Sequence, residues 1–298
     1  MNWKNTENRG GAEALAGVLV GLIGSGIGLS RTPAMHEAAA WHLGRSLVYR
    51  LLDTDRMGPA GPDLGQLLDQ AAMFGFSGLN ITHPYKQAVL PLLDDVAREA
   101  DEIGSVNTVV FRGGRSTGHN TDYWGFRESF QQRMTGVVRR RVLQLGAGGA
   151  GAAVARALLD CGVGELVLLD VEPDRADELV RRLAGRFGAD RVRMAADVAG
   201  EAASADGIVN ATPVGMDKLP GAPLPLDLLG SAHWAADIVY LPLETEFLRA
   251  ARALGCQTLS GEGMAIHQAV RAFELFTGVA PDIAVMRRAF ERFDEIRP

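Results

Sequence analysis

Gly146-Ala147-Gly148-Gly149-Ala150-Gly151 is the stretch whose reading decides the fold. Before it, Val142 to Leu145 reads as a buried strand; after it, Ala150 to Cys161 reads as a helix. In that setting Gly146, Gly148, Gly149 and Gly151 form a dinucleotide fingerprint. Gly146 permits a tight turn, Gly148 lets the backbone approach a pyrophosphate, and Gly151 allows the helix to pack closely on the strand, while the helix start offers N–H groups to the phosphates. Glycines alone are weak evidence, because a structural turn uses them too. The context is stronger: the next strand, Glu165 to Asp170, ends in an acid roughly 20 residues on, where a carboxylate can accept from the adenine ribose hydroxyls. A carboxylate there repels a 2′-phosphate, so Asp170 favours NAD, with NADP the lesser alternative. Arg175 lies several residues into the following helix and reads as a surface charge.

Outward from this loop the pattern alternates. Ala176, Leu179, Val180 and Leu183 mark a helical face, and Gly207–Asn210 and Ala235–Tyr240 read as later strands. On the other side, from Val18 to about Asp122, short apolar strands also alternate with helices. Leu64, Leu67, Leu68, Ala71 and Ala72 have helical spacing, and Leu79–Thr82 reads as a strand entering a loop. Late in the chain, Ala265, Ala269, Ala272, Phe273 and Phe276 share one helical face; Gly278 ends that helix and Pro281 opens a last one through Phe293. The fold class is α/β, with a mostly parallel sheet covered by helices. Spacing alone does not assign the final helices to either half.

The 298 residues suffice for two domains. A net charge of −6 argues against nucleic acid or an anionic membrane as a partner, and no apolar run approaches membrane-spanning length. Cys161 and Cys256, two and far apart, fit a reducing cytoplasm rather than a disulfide framework. Residues 1–17 read as a flexible polar tail. Nothing in the spacing calls for a metal.

Four further segments concentrate polar residues. Ser30 and Thr32 precede a helix starting near Pro33 and read first as caps. Asn80-Ile-Thr82-His-Pro84-Tyr85-Lys86 sets a lysine just after a proline-bearing turn, where it can be held at a cleft edge as an acid/base. Asp122, in Gly118-His-Asn120-Thr121-Asp122, is the carboxylate available to orient that ammonium. Gln268, in Gly261-Glu-Gly-Met264-Ala-Ile-His267-Gln268, can donate to and accept from a hydroxylated ring.

In this order around a central fingerprint, these segments resemble the shikimate dehydrogenase family. The likeness rests on Ser30-x-Thr32-Pro33, Asn80-x-Thr82-x-Pro84-x-Lys86, Val106-Asn107-Thr108 and Gly118-x-Asn120-Thr121-Asp122. It continues through Asn210-Ala-Thr212-Pro213-x-Gly215-Met216, Asp237-x-Val239-Tyr240-x-Pro242-Leu243-Glu244-Thr245, and Gly261 to Gln268. The resemblance implies a substrate domain at 18–122 and 261–298, a Rossmann-like domain at 123–260, and C-terminal helices that return to the substrate domain. It implies that Lys86 and Asp122 are catalytic and that Ser30 and Thr32 hold a carboxylate. Thr82, Asn107, Asp122 and Gln268 would bind ring hydroxyls, with Tyr240 near the substrate. Asn210, Thr212, Val239, Gly261 and Met264 would line the nicotinamide side.

The substrate so implied is a small cyclic hydroxy-carboxylic acid, oxidised at a ring hydroxyl; the chain is expected to be a monomer or homodimer, a choice the sequence does not make. Biosynthetic members carry a second Ser where this chain has Thr32, and an Asn-Arg-Thr-like NADP stretch where it has Asp170-Val-Glu-Pro. Both departures resemble the NAD-using quinate/shikimate branch. Alternatives are an aminoshikimate-type or low-activity paralogue, a two-domain amino-acid or folate dehydrogenase, and a non-catalytic NAD-binding regulator. A regulator would keep the glycines but have no use for Lys86 with Asp122.

Overall fold

A computed structural model describes residues 17–58 and 61–294; the tail read at 1–17 lies outside them except for its last residue. The first half contains β1 (Val18–Gly24), α1 (Thr32–His42), β2 (Leu47–Asp53), α2 (Leu64–Met73), β3 (Gly78–Ile81), β4 (Asp95–Val96), α3 (Arg98–Ile103), β5 (Thr108–Arg112) and β6 (Arg115–His119). Its six-stranded sheet has the order β2-β1-β3-β5-β6-β4. β1 runs parallel to β2 and β3, and β5 runs antiparallel to β3 and β6. All four residues of β3 are buried, as expected of a strand covered on both faces.

The β5–β6 hairpin departs from the alternation of strands and helices. Gly113 and Gly114 carry it: both have positive φ, 61° and 75°, and Arg112 faces Arg115 across them. A two-residue turn needs left-handed backbone at both positions to match the strand twist, and glycine supplies it without a Cβ clash.

α4 (Thr121–Arg133) leads into the second half: β7 (Arg141–Leu145), α5 (Gly149–Asp160), β8 (Glu165–Leu169), α6 (Pro173–Phe187), β9 (Val192–Met194), α7 (Val198–Ser204), β10 (Gly207–Asn210), β11 (Trp234–Asp237), α8 (Glu246–Ala253) and β12 (Thr258–Leu259). These six strands are all parallel, in the order β12-β11-β10-β7-β8-β9. The chain grows from β7 to one edge, then restarts at β10 on the other side. That reversal opens a crevice at the carboxyl ends of β7 and β10, where doubly wound sheets take their ligands.

α9 (Gly261–Thr277) and α10 (Ile283–Glu291) close the chain. Ala265, Ile266, Ala269, Val270 and Phe273 of α9 pack with Met35, Ala39 and Ala40 of α1 and with Met286 and Phe290 of α10. Ala272 and Phe276 reach Val20 and Leu22 of β1. Each large apolar side chain so buried contributes roughly 1.5–3 kcal/mol, so the terminal helices lie with the first sheet, as the family resemblance implied.

Several boundaries differ from expectation, those of β11 and the last helix the most. β11 stops at Asp237, and residues 238–240 form a loop. The last helix starts at Ile283 rather than Pro281, because the Asp282 carboxylate caps it by accepting from the Ala284 amide at 2.8 Å.

Candidate active site

Lys86 leaves β3 through a short turn in which the Tyr85 amide donates to the Thr82 carbonyl at 2.9 Å, and its own carbonyl accepts from Val106 N at 2.8 Å. Anchored at both ends, it extends Nζ to Asp122 Oδ2 at 2.5 Å. The lysine side chain is 16 % exposed and the aspartate 2 %. Asp122 sits in the first turn of α4, where the helix N-terminus favours a negative charge. Asn120 caps that helix by accepting from Tyr123 N, and its amide donates to the Ser105 carbonyl and hydroxyl, both at 2.9 Å.

Around this pair the first sheet builds a polar wall. Asn107 Oδ1 accepts from Thr121 N at 2.7 Å, and its Nδ2 donates to Thr121 Oγ1 at 2.9 Å and to Gln268 Oε1 at 3.3 Å. Beneath it, Tyr49 Oη donates to Asn80 Oδ1 at 2.7 Å, and Asn80 Nδ2 donates to Thr108 Oγ1 at 2.9 Å. Gln268 reaches the wall because α9 crosses α4 closely: a Cβ on Gly125 would lie 2.6 Å from the Met264 carbonyl oxygen and 2.8 Å from Gln268 N.

Ser30 Oγ donates to Thr32 Oγ1 at 3.1 Å and accepts from Thr32 N at 3.3 Å. Neither residue is the cap of α1; Arg31 is the N-cap residue, without a side-chain cap bond. Arg31 Nη1 donates to the Phe290 carbonyl at 2.9 Å and the guanidinium lies 4.6 Å from the Phe290 ring centre. Tyr240 stands against the same ring. Burial raises its phenol above the ordinary 10.0, with the Arg31 guanidinium pulling the other way and the Asp122 carboxylate adding to the rise. Thr82 is half-buried at the end of β3.

The opposite wall is made of backbone. Gly146 has φ of 100°, and a Cβ there would lie 2.6 Å from the Ala211 carbonyl oxygen; a Cβ on Gly151 would lie 2.4 Å from that of Gly146. Gly148 is different: a Cβ there would meet nothing within 4 Å, so the loop is open where a phosphate would approach. Gln144 Nε2 ties the loop to its strand through the carbonyls of Gly146 and Gly151, at 2.8 and 2.9 Å. Asp170 follows β8 directly; it accepts from Ala147 N at 2.6 Å and Glu172 N at 2.9 Å. Arg175 sits 3.8 Å from Asp170 and donates to Glu172 at 2.8 Å. Val239 and Gly261 touch, since a Cβ on Gly261 would lie 2.6 Å from the Val239 carbonyl oxygen, and Met264 is buried one turn into α9. Asn210 and Thr212 close the same end of the sheet, their side chains joined at 2.7 Å. An open glycine cradle at a helix start beside an acid fits a dinucleotide.

The two walls meet. Ser105 Oγ donates to the Gly149 carbonyl at 2.9 Å, and a Cβ on Gly149 would lie 3.1 Å from Lys86 Cβ. Across the cleft mouth Lys218 Nζ donates to the Gly26 carbonyl at 3.4 Å. Sequence reasoning gave no role to Tyr49, Ser105, Thr108, Gln144 or Lys218. Thr108 adjoins Asn107 and Ser105 lies two positions before it, so both carry a local signal, whereas Tyr49 and Lys218 leave none.

A parallel sheet with a glycine-rich loop at its switch point, set against a lysine–carboxylate pair on a second α/β domain, is the architecture of a two-domain dinucleotide-dependent dehydrogenase. The chain matches the model of the shikimate dehydrogenase substrate binding domain over residues 22–109, and that of the shikimate 5′-dehydrogenase C-terminal domain over residues 261–289. A quinate/shikimate dehydrogenase (NAD(+)) of Corynebacterium glutamicum (strain R) is 51% identical over 277 residues, 92% of this chain and 98% of that protein. A shikimate dehydrogenase (NADP(+)) of Streptomyces avermitilis is 53% identical over 266 residues, 89% of this chain and 91% of that one. Among solved structures, quinate dehydrogenase from Corynebacterium glutamicum in complex with NAD superposes with a TM-score of 0.87 at 50% identity, covering 92% of this chain and 99% of that one. The chain belongs to the shikimate dehydrogenase family.

Proposed function

We propose that this chain is a shikimate/quinate dehydrogenase that oxidises a ring hydroxyl of a small cyclic hydroxy acid, with NAD as the preferred cofactor. The observation that carries the reading is the contact of the two walls: the Lys86–Asp122 pair, joined at 2.5 Å, stands directly against the glycine loop at Gly149. Gly146, Gly148, Gly149 and Gly151 would hold the pyrophosphate, Asp170 the adenine ribose, and Thr212, Val239 and Met264 the nicotinamide end. Bound NAD supplies the hydride acceptor at the ring carbon.

The protein's own groups handle the proton. Asp122 holds the Lys86 head group in one place; as the neutral amine Nζ takes the hydroxyl proton during oxidation, and the ammonium so formed returns a proton during reduction. As oxygen charge develops, the same ammonium stabilises it. Asn107, Gln268 and Thr82 orient the ring hydroxyls, and the Ser30–Thr32 pair receives the carboxylate with Tyr240 beside it. Residues 18–122 with 261–298 carry the acid and 123–260 the cofactor, so closure over the cleft excludes water.

Identity alone does not choose the cofactor, since the NAD-linked and NADP-linked relatives stand at 51% and 53%. Asp170 supports NAD, because its carboxylate disfavours a 2′-phosphate. Thr32 supports acceptance of quinate as well as shikimate. Both cysteines are free and buried, which suits a cytoplasmic enzyme; the oligomeric state we propose is a monomer or homodimer. The test is the absorbance of reduced cofactor with shikimate and quinate, each against NAD and NADP. Both acids are expected to turn over, faster with NAD; no turnover in any of the four combinations would refute the reading.

A further inference from the structure

Asp237 ends β11 with 2 % of its surface exposed, and its three partners are neutral donors. Oδ1 accepts from Asn210 Nδ2 at 3.0 Å and from Val239 N at 2.9 Å, and Oδ2 accepts from Thr245 Oγ1 at 2.7 Å. Asn210, fully buried at the end of β10, is itself saturated. Its Nδ2 also donates to the Val214 carbonyl at 2.9 Å, and its Oδ1 accepts from Thr212 N at 3.0 Å and Thr212 Oγ1 at 2.7 Å. Thr245 is the N-cap of α8, its hydroxyl accepting from Leu248 N at 3.2 Å. The bonds Thr212–Asn210–Asp237–Thr245 therefore run unbroken from the loop after β10 to the loop after β11. Asn210 has no amide group left for a ligand, so its place in the family pattern needs another explanation than contact.

We propose that Asp237 is a positioning residue for hydride transfer: through Asn210 and Thr245 it fixes the loops at 210–216 and 237–245 against each other by hydrogen bonding rather than by charge. The proposal rests on the preceding reading, in which Thr212 and Val239 on these loops face the nicotinamide. Burial pushes the Asp237 carboxyl up to about 6, with the Val239 amide, the Thr245 hydroxyl and the Asn210 amide each pulling it back. A charge is thus costly here, and a neutral group can serve the same partners. One oxygen suffices for Asn210 and Val239, and a donor at the Oδ2 position can bond Thr245 Oγ1, which already works as an acceptor.

The test compares wild type, Asp237→Asn and Asp237→Ala by NADH fluorescence titration and by kcat, KM and the primary deuterium isotope effect. Asp237→Ala should weaken NADH binding about tenfold, the scale of a lost buried hydrogen bond. It should lower kcat by about 10²-fold and raise the isotope effect, as expected for a displaced reactant. KM for the acid should change less than NADH affinity, because of the substrate wall only Tyr240 lies on these loops. Asp237→Asn should remain within about threefold of wild type in every parameter, since its oxygen can still accept from Asn210 and Val239 and its amide can donate to Thr245 Oγ1 in place of accepting from it. Equal losses in the two variants, or wild-type values in a folded Asp237→Ala, would overturn the proposal. If Asp237→Ala does not fold, Thr245→Val against Thr245→Ser reads the same link, with loss of NADH affinity expected only in the valine variant and its absence counting against the proposal. A wild type that binds NADH but turns over neither acid would sink the functional reading alone, and the NADH titrations would still decide the role of Asp237.

Discussion

On one side of the cleft side chains meet side chains: Lys86 with Asp122, Asn107 with Thr121 and Gln268, Ser30 with Thr32. On the other side the working surface is main chain. Gly146 and Gly151 are glycines because neighbouring carbonyls leave no room for a Cβ, and Gly148 keeps an open face. On the proposed function, the difference follows from what each wall would recognise. A hydroxylated ring needs several differently placed donors and acceptors, which only side chains supply. A pyrophosphate needs N–H groups and a close approach, which a bare helix start provides. Damage should therefore read out differently: in the chemical step on the first wall, and in cofactor binding or folding on the second.

The largest effect expected is Lys86→Ala, which should lower kcat by about 10²–10⁴-fold, the range for a lost general acid/base. NADH affinity should hardly change. A fall in NADH binding as large as the fall in kcat would break the division between the walls. Stopped-flow turnover and fluorescence titration measure the two.

On the glycine wall two neighbouring substitutions should separate fold from ligand. Gly146→Ala meets both a φ of 100° and the Ala211 carbonyl, so it should cost about 1–3 kcal/mol or more of stability in denaturant unfolding. Gly148→Ala, at φ −68° with open space around it, should leave stability within about 0.5 kcal/mol and weaken NADH binding instead. Equal destabilisation by both would mean that the loop is only a structural turn.

The walls also carry opposite acid responses. His36 of α1 is fully buried between Tyr49, Phe273 and Phe276, and burial lowers it from 6.5 to about 3. Below pH 6.5 the unfolded chain takes a proton that the folded His36 refuses, so this group's contribution to stability is lost on acidification. Asp237, raised from 3.8 to about 6, does the reverse: the folded state takes up its proton first, and stability is gained as pH falls. One group changes stability by at most about 1.4 kcal/mol per pH unit. Between pH 6 and 4 the two should largely cancel in the wild type. Relative to wild type, His36→Leu should therefore gain stability as pH falls through that window and Asp237→Asn should lose it. Slopes of the same sign in urea titrations would refute the assignment.

The smallest effect is the most specific. Asp170→Ala should reduce the preference for NAD over NADP by about tenfold, roughly the 1.5 kcal/mol of one charge-assisted hydrogen bond. Because Asp170 also accepts from Ala147 N at 2.6 Å, part of the loss should appear as weaker NADH binding overall. An intact protein that prefers NADP would remove Asp170 from this role and put Arg175 first.

How much of this was written locally depends on the range over which a residue acts. A glycine forced by φ or by a carbonyl 2.4–2.6 Å from its missing Cβ leaves its mark in the sequence itself, as do the acid after β8 and the proline before Lys86. The alternation of strand and helix, and hence the α/β class, is legible for the same reason: each element's periodicity is set by its own residues. The Gly113-Gly114 hairpin is equally local, carried by two adjacent glycines of positive φ. Other features depend on folding. Asn107 and Gln268 are 161 residues apart, Tyr49 and Asn80 are 31, and Asn210 and Asp237 are 27. No spacing rule joins them, because a side chain's partner across such distances is chosen by how sheets and helices pack. The sequence by itself determined the two kinds of wall and the residues available to them. Only the tertiary structure decided that Asn210 spends its amide inside the protein, that Gly125 brings Gln268 to Asn107, and that the lysine stands against the glycine loop, since each of these is a contact made when separate elements close on one another.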